Sequence, residues 1–225
     1  LQQLDAATRT YETIDPDARL MLRVRDGDAA AFEELVRRYQ GRLLTVLENL
    51  VRNRALAEDL TQDVFLRVFR ARQTYVAGAK FSTWLFTIAN NVAKNAHRSR
   101  SRRKEVHVAG SDTGAMSVNP LEQMAEAASG VMPARRLDKV ERAEMVQLAM
   151  ETLNERQRMA VLLSKFEGMS YADIAEAMDM STSAIKSLLT RARTNLKTVL
   201  QPYIDQGSGV EDFVDDSYPD DSSTT

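Results

Sequence analysis

Helical periodicity runs through nearly the whole chain, and it fails over one long internal stretch. Asp28 follows Asp26-Gly27 and is placed to cap a helix whose apolar residues, Phe32, Leu35, Val36, Tyr39, Leu43, Val46 and Leu47, share one stripe. A short segment before it, residues 17–25, supplies Leu20, Met21 and Val24. The next helix, about 55–72, buries Leu56, Leu60, Val64 or Phe65, and Val68; its acids precede its arginines, the order that the helix dipole favours. Beyond a loop containing Gly78, Ser82 is placed to cap a fourth helix running to about Arg98, with Leu85, Ile88 and Val92 inward. From about residue 99 to 132 the period disappears into Ser-Arg repeats, Gly, Ser and Pro, the composition of a flexible linker, although 121–128 could form a turn or two of helix. Periodicity resumes over about 137–200. The expected fold class is therefore all-α: two small helical domains joined by a flexible linker, at 17–100, 101–135 and 136–202, with an acidic and disordered tail at 203–225. No internal repeat is visible.

The second domain carries the most specific local pattern. Gly168 ends a helix, Ser170-Tyr171-Ala172-Asp173 has the form of a capping box, and Ile174, Ala175 and Met178 face inward. A turn at Asp179-Met180 leads to a helix capped by Ser181, in which Ile185, Leu188, Ala192 and Leu196 are buried. Ser183, Lys186, Ser187, Thr190, Arg193, Thr194 and Lys197 remain outside. A helix-turn-helix whose second helix presents polar and basic residues, and no acid, suits the major groove. The competing reading is an ordinary helical hairpin with a soluble outer face.

Net charge alone argues against a nucleic-acid partner, because it is only -2. Its distribution reverses that conclusion. Between Asp63 and Glu105 ten basic residues occur with no acid, and residues 180–204 hold four more, again with none. The tail, residues 205–225, holds seven acids and no base, so the body before it has thirty bases against twenty-five acids, a net of +5. Such blocks mark polyanion-binding surfaces or solvated tails. The absence of cysteine excludes disulfide frameworks and thiolate metal or nucleophile chemistry. His97 and His107 have no nearby carboxylate pair, so neither a metal site nor a cofactor is expected. No apolar run approaches the ~18 residues of a membrane span, and the first eleven residues lack the pattern of a signal peptide, so a cytoplasmic chain without membrane insertion is expected. Leu1 in place of methionine suggests either a start inside a longer product or an unusual start.

Two sets of three motifs resemble one known family. Leu153-Asn-Glu-Arg-Gln-Arg-Met-Ala-Val-Leu-Leu, Phe166-Glu-Gly-Met-Ser-Tyr-Ala-Asp-Ile-Ala-Glu and Ser183-Ala-Ile-Lys-Ser-Leu-Leu-Thr-Arg-Ala-Arg resemble region 4 of bacterial sigma factors. Asp28-Ala-Ala-Ala-Phe-Glu-Glu-Leu-Val, Ala57-Glu-Asp-Leu-Thr-Gln-Asp-Val-Phe and Phe81-Ser-Thr-Trp-Leu-Phe-Thr-Ile-Ala-Asn-Asn resemble region 2. Two such domains with no region-3 domain between them are similar to the extracytoplasmic-function (ECF) group. The chain departs from the pattern at Asn154, where the family usually has proline, at Asp179, where glycine is frequent, and at Ala184-Ile185 in place of Thr-Val.

The resemblance implies a non-catalytic subunit that joins RNA polymerase core and directs it to promoter DNA. It places core binding on Glu58, Asp59, Gln62 and Asp63, for which dipole compensation is the plainer alternative. The minus-ten element would be captured as a single strand by Tyr75, Lys80, Asn91, Lys94, Asn95 and Arg98; Trp84, beside Leu85, is read as core. The minus-thirty-five element would be read as duplex by Ser183, Lys186, Ser187, Thr190, Arg191 and Arg193, with Lys186 and Arg191 foremost. An anti-sigma factor is an implied partner. The competing function is a helix-turn-helix regulator acting on duplex operators without polymerase, which leaves the first domain without a role. A serine recombinase or a protein-binding adaptor accounts for still less of the pattern.

Overall fold

The computed structural model describes residues 15–108 and 139–204. Among them the regular elements are helical: α1 (Pro16–Arg25), α2 (Ala29–Val51), α3 (Arg54–Ala71), a 3-10 turn (Arg72–Thr74), α4 (Phe81–Val108), α5 (Lys139–Glu151), α6 (Glu155–Lys165), α7 (Tyr171–Met178) and α8 (Thr182–Ile204). The all-α expectation holds. Most of the expected linker, the helical turn at 121–128 and the acidic tail lie outside the described residues. The chain forms two compact units, one of Leu1–Gly114 with Met159–Ser187, the other of Ala115–Arg158 with Leu188–Thr225.

In the first unit α2 packs against α1, α3 and α4, and α4 packs against α7. Met21, Leu35, Leu43, Leu47, Phe81, Leu85 and Phe86 are fully buried between them. Each such side chain contributes about 1.5 to 3 kcal/mol of hydrophobic stabilisation. The helix starts are fixed by short polar side chains. Ala31 N–H donates to Asp28 at 3.0 Å, as the sequence predicts, and Leu56 N–H donates to Asn53 at 2.8 Å.

The start of α4 differs from expectation. It begins at Phe81, so Ser82 lies inside the first turn. The Phe81 N–H donates to the Asp15 carboxylate at 2.8 Å, and the other oxygen of that carboxylate caps α1 by accepting Asp17 N–H at 2.9 Å. One side chain thus satisfies amides at two helix starts that are distant in sequence, a relation no local pattern reveals. The far end of α4 also differs, running to Val108 instead of about Arg98. Residues 99–108 contain neither glycine nor proline and are rich in arginine and lysine, which favour helix and suit its C-terminal dipole.

The second unit contains a buried arginine that the sequence reading missed. Arg158, 7% exposed, donates to the carbonyls of Met150 at 3.0 Å, Leu153 at 2.9 Å and Glu151 at 3.3 Å, covering acceptors at the C-terminal end of α5. Beside it, Asn154 N–H donates to Gln157 Oε1 at 3.1 Å and Gln157 N–H donates to Asn154 Oδ1 at 3.0 Å. Asn154 is therefore the N-cap of α6, a role in which asparagine is among the best residues.

Candidate nucleic-acid interface

Three outward faces carry the residues singled out by sequence. On α3, Glu58, Asp59 and Gln62 are exposed and Asp63 is half-buried. Glu58 accepts from Arg54 at 2.8 Å and Asp63 pairs with Arg67 at 3.0 Å, so two of the four already hold partners one helical turn away. The same helix exposes two large apolar side chains, Leu66 at 54% and Phe69 at 41%. Phe69 leans on Phe32 at 5.2 Å and lies under the Arg72 guanidinium at 4.1 Å. The reading of α3 overlooked them, although a signal existed: Val64, Phe65 and Val68 already fill the buried stripe, which leaves Leu66 and Phe69 off it.

On and before α4 the six strand-capturing candidates separate. Tyr75 is 2% exposed, with its ring against Trp84 at 5.0 Å and Phe81 at 6.3 Å, so it is a core residue and presents no face for a base. Its assignment to the strand is corrected on that ground: the aromatic packing that roofs the core consumes the ring. Burial raises the Tyr75 hydroxyl above its ordinary range, and the neighbouring charges of Asp15 and Asp17 add to the effect. Its oxygen has no hydrogen-bond partner among the described residues. Trp84 forms the half-buried rim of this cluster. Asn91, Asn95 and Arg98 are exposed at spacings of four and three, along one side of α4.

The remaining two, Lys80 and Lys94, engage α7 within the same compact unit. Lys80 Nζ donates to Asp173 Oδ2 at 3.0 Å, and Lys94 Nζ reaches the Met178 carbonyl at 3.5 Å. Thr83 Oγ1 donates to the other Asp173 oxygen at 3.1 Å, and buried Asn90, unnoticed in the sequence, donates to the Ala177 carbonyl at 3.2 Å. Arg42 pairs with Glu167, whose side chain is only 2% exposed. Asp173 also completes the expected capping box: its N–H donates to Ser170 Oγ at 3.1 Å and its Oδ2 accepts Ser170 N–H at 3.3 Å. Burial by itself would raise the Asp173 carboxyl, but hydrogen bonds from Ser170, Lys80 and Thr83 outweigh it and hold the group below its ordinary value.

The third face is that of the helix-turn-helix. Asp179 has φ 55°, the left-handed turn that its position requires, and Ala184 N–H donates to Ser181 Oγ at 3.2 Å. Along α8, Ser183, Lys186, Ser187, Thr190 and Arg191 are exposed and Arg193 is half-buried. The buried stripe is Ile185, Leu189, Ala192 and Leu196, with Leu189 replacing the expected Leu188, which is only partly covered. The stripe follows intervals of four, three and four, the closest integers to the helical repeat.

Known proteins match both parts of this arrangement. The chain matches the family model of sigma-70 region 2 over residues 35–103 and that of sigma-70 region 4 over residues 143–196. It is 33% identical to the RNA polymerase sigma-H factor of Pseudomonas aeruginosa over 192 residues, 85% of this chain and 97% of that protein. It is 31% identical to the ECF RNA polymerase sigma-E factor of Escherichia coli over 84% of this chain and 96% of that protein. Among solved structures, the sigma factor RpoE of Bartonella quintana in complex with the anti-sigma factor NepR is similar at TM-score 0.56 and 25% identity, covering 76% of this chain and 96% of that one. The fold of CnrH, solved with the cytosolic domain of CnrY, is similar at TM-score 0.59 and 20% identity over 83% of this chain and 98% of that one. With two regions matched in order and whole-length relatives above 30% identity, the chain belongs to the ECF group of bacterial RNA polymerase sigma factors, proteins that direct promoter-specific transcription initiation.

Proposed function

We propose that the chain acts as a non-catalytic initiation subunit in the cytoplasm, dividing promoter recognition between its two sigma regions. The domains would be residues 17–100 and 136–202, joined through 101–135. The observation that carries this reading is the one-sided character of α8. Ser183, Lys186, Ser187, Thr190 and Arg191 lie outside while Ile185, Leu189, Ala192 and Leu196 are buried, the disposition of a helix that enters the major groove. This face would read the minus-thirty-five element as duplex, with early residues on base edges and later bases on phosphates.

Single-strand capture of the minus-ten element falls to α4, through Asn91, Asn95 and Arg98 and, once they are released from α7, Lys80 and Lys94. Flipping a base costs a few kcal/mol, whereas stacking and pocket contacts return about 1 to 3 kcal/mol per base. The near balance explains why strand capture would need the polymerase. Core binding would use Glu58, Asp59, Gln62 and Asp63. The structure of a similar protein was solved with an anti-sigma factor, and this supports a partner of that kind here.

The test is to add the chain to core polymerase with a promoter library and map transcript starts. Specific starts absent with core alone are expected. Starts no different from core alone would refute the division of roles, and duplex binding with no effect on polymerase would favour an operator-binding regulator.

A further inference from the structure

The loop from Gln73 to Phe81 is fastened at both ends to α1. Gln73 Nε2 donates to the Arg25 carbonyl at 2.8 Å, at the C-terminal end of that helix, and Phe81 N–H donates to the Asp15 carboxylate at 2.8 Å, at its N-terminal end. Asp15 and Arg25 stand ten residues apart along the helix, about 15 Å. Fully extended, the eight steps of chain from Gln73 to Phe81 would reach about 26 to 29 Å, so the loop has slack that its two fastenings take up. Within the loop the side chains alternate: Tyr75 and Ala77 are buried, while Val76, 55% exposed, and Gly78 lie outward. Gly78 N–H donates to the Val76 carbonyl at 2.8 Å, which closes a three-residue turn. A Cβ at Gly78 would meet nothing within 4 Å, so the outer side of this turn is open.

We infer that α1 is a brace for base selection, with Gln73 and Asp15 as positioning residues that hold Val76 toward one base of the captured minus-ten strand. This rests on the assignment of strand capture to α4 and the loop that leads into it. The Val76 side chain has neither donor nor acceptor, so it discriminates by shape and apolar edge, as in contact with a thymine methyl. A gap of about 0.5 to 1 Å forfeits a quarter to a half of such a contact, so selectivity depends on where the loop is held. The buried Tyr75 ring fixes the inner side of the loop, and the two hydrogen bonds to α1 fix where its ends stand. The Arg25 carbonyl lies at an exposed helix end, where water can replace the Gln73 amide, so loss of that bond bears on loop geometry far more than on stability.

The test uses the full chain with core polymerase on promoters recovered from the transcript-start library, re-randomised at the minus-ten element and each carrying a transcribed barcode, so that base preference is read at every position. Val76→Gly should reduce the preference at one position. Gln73→Leu should reduce it at that same position by about three- to tenfold, the range of a single hydrogen bond, while preferences elsewhere and the melting temperature of the free chain stay as they were. Asp15→Asn, which keeps an acceptor for Phe81 N–H, should retain the preference that Asp15→Ala loses. A fall in total transcription after Gln73→Leu with every base preference intact overturns the positioning role, and so does a change spread evenly over all positions. Preferences that Val76→Gly leaves intact overturn the presentation of Val76. Absence of any minus-ten preference in the unsubstituted chain overturns the strand-capturing reading of α4 itself, and the brace with it.

Discussion

The Asp15 carboxylate, which caps α1, accepts the backbone amide of Phe81 at 2.8 Å across 66 residues of sequence and so joins the start of α4 to the start of the fold. Removing it orphans two amides at once. Asp15→Ala is expected to destabilise the first unit by about 2 kcal/mol, one for each cap, and Asp15→Asn by less than half of that because the amide oxygen still accepts. Urea unfolding followed by the fluorescence of Trp84, the single tryptophan, measures both.

Tyr75 gives the opposite sign. Its hydroxyl is buried without a partner among the described residues, and its ring is enclosed by Phe81 and Trp84. Tyr75→Phe keeps the ring and deletes the orphan oxygen, so stability should rise by about 1 kcal/mol. Binding of single-stranded DNA should not change. A fall in strand affinity without a loss of stability would return Tyr75 to the strand-contacting residues.

In the second unit, Arg158→Leu removes a buried cation and leaves carbonyls of Met150, Glu151 and Leu153 short of donors. A loss of about 2 to 4 kcal/mol is expected, with Arg158→Lys recovering only part because an ammonium cannot reproduce the planar fork. Helix content followed during chemical unfolding reads the effect. A loss under about 0.5 kcal/mol would show that water replaces the guanidinium without cost.

Acid should weaken the contact between α4 and α7. The Asp173 carboxyl is held below its ordinary value, so its contribution is fully present at neutral pH and is lost as pH falls through about 4 and below. Trp84 adjoins Thr83, a donor to Asp173, and its fluorescence should change over that range. Asp28 and Glu34 are also lowered, by Ala31 N–H with Arg23 and by Arg37 with Arg38, so the informative quantity is the difference between the unsubstituted chain and Asp173→Asn. Identical titrations of the two would remove Asp173 from the effect.

On the outward face of α8, proposed to bind duplex, Lys186→Ala distinguishes two kinds of contact. If Lys186 reads a base edge, affinity falls by about 1 to 3 kcal/mol at its own site and selectivity relaxes there. If it meets a phosphate, binding weakens uniformly and the salt slope decreases by about 0.9. Titrations at several salt concentrations on matched and mismatched duplexes decide between them, and unchanged affinity with unchanged slope would remove Lys186 from the interface.

The helices were legible in the sequence because their signals are local. Asp28, Ser170 with Asp173, Asp179 and Ser181 each act within four residues of the position they control, and each acts in the structure as its neighbourhood predicts. The outward residues of α8 were legible for the same reason, since a period of 3.6 fixes which residues share a face. Where two apolar residues adjoin, period alone does not choose between them, and Leu189 took the place expected of Leu188. Continuation of α4 past Arg98 was obscured because serine and arginine suit a solvated linker as well as a helix.

The sequence by itself determined an all-helical chain, its helix-turn-helix and the sign of each charged face, because those properties depend on residues a few positions apart. Tertiary structure alone decided that Tyr75 belongs to the core, that Asp15 caps a helix from across the chain, and that Arg158 closes the end of α5. It also decided that Lys80 and Lys94 meet acceptors of α7. Each of these depends on groups brought together from distant positions, and burial or a buried hydrogen bond exists only once that approach has been made.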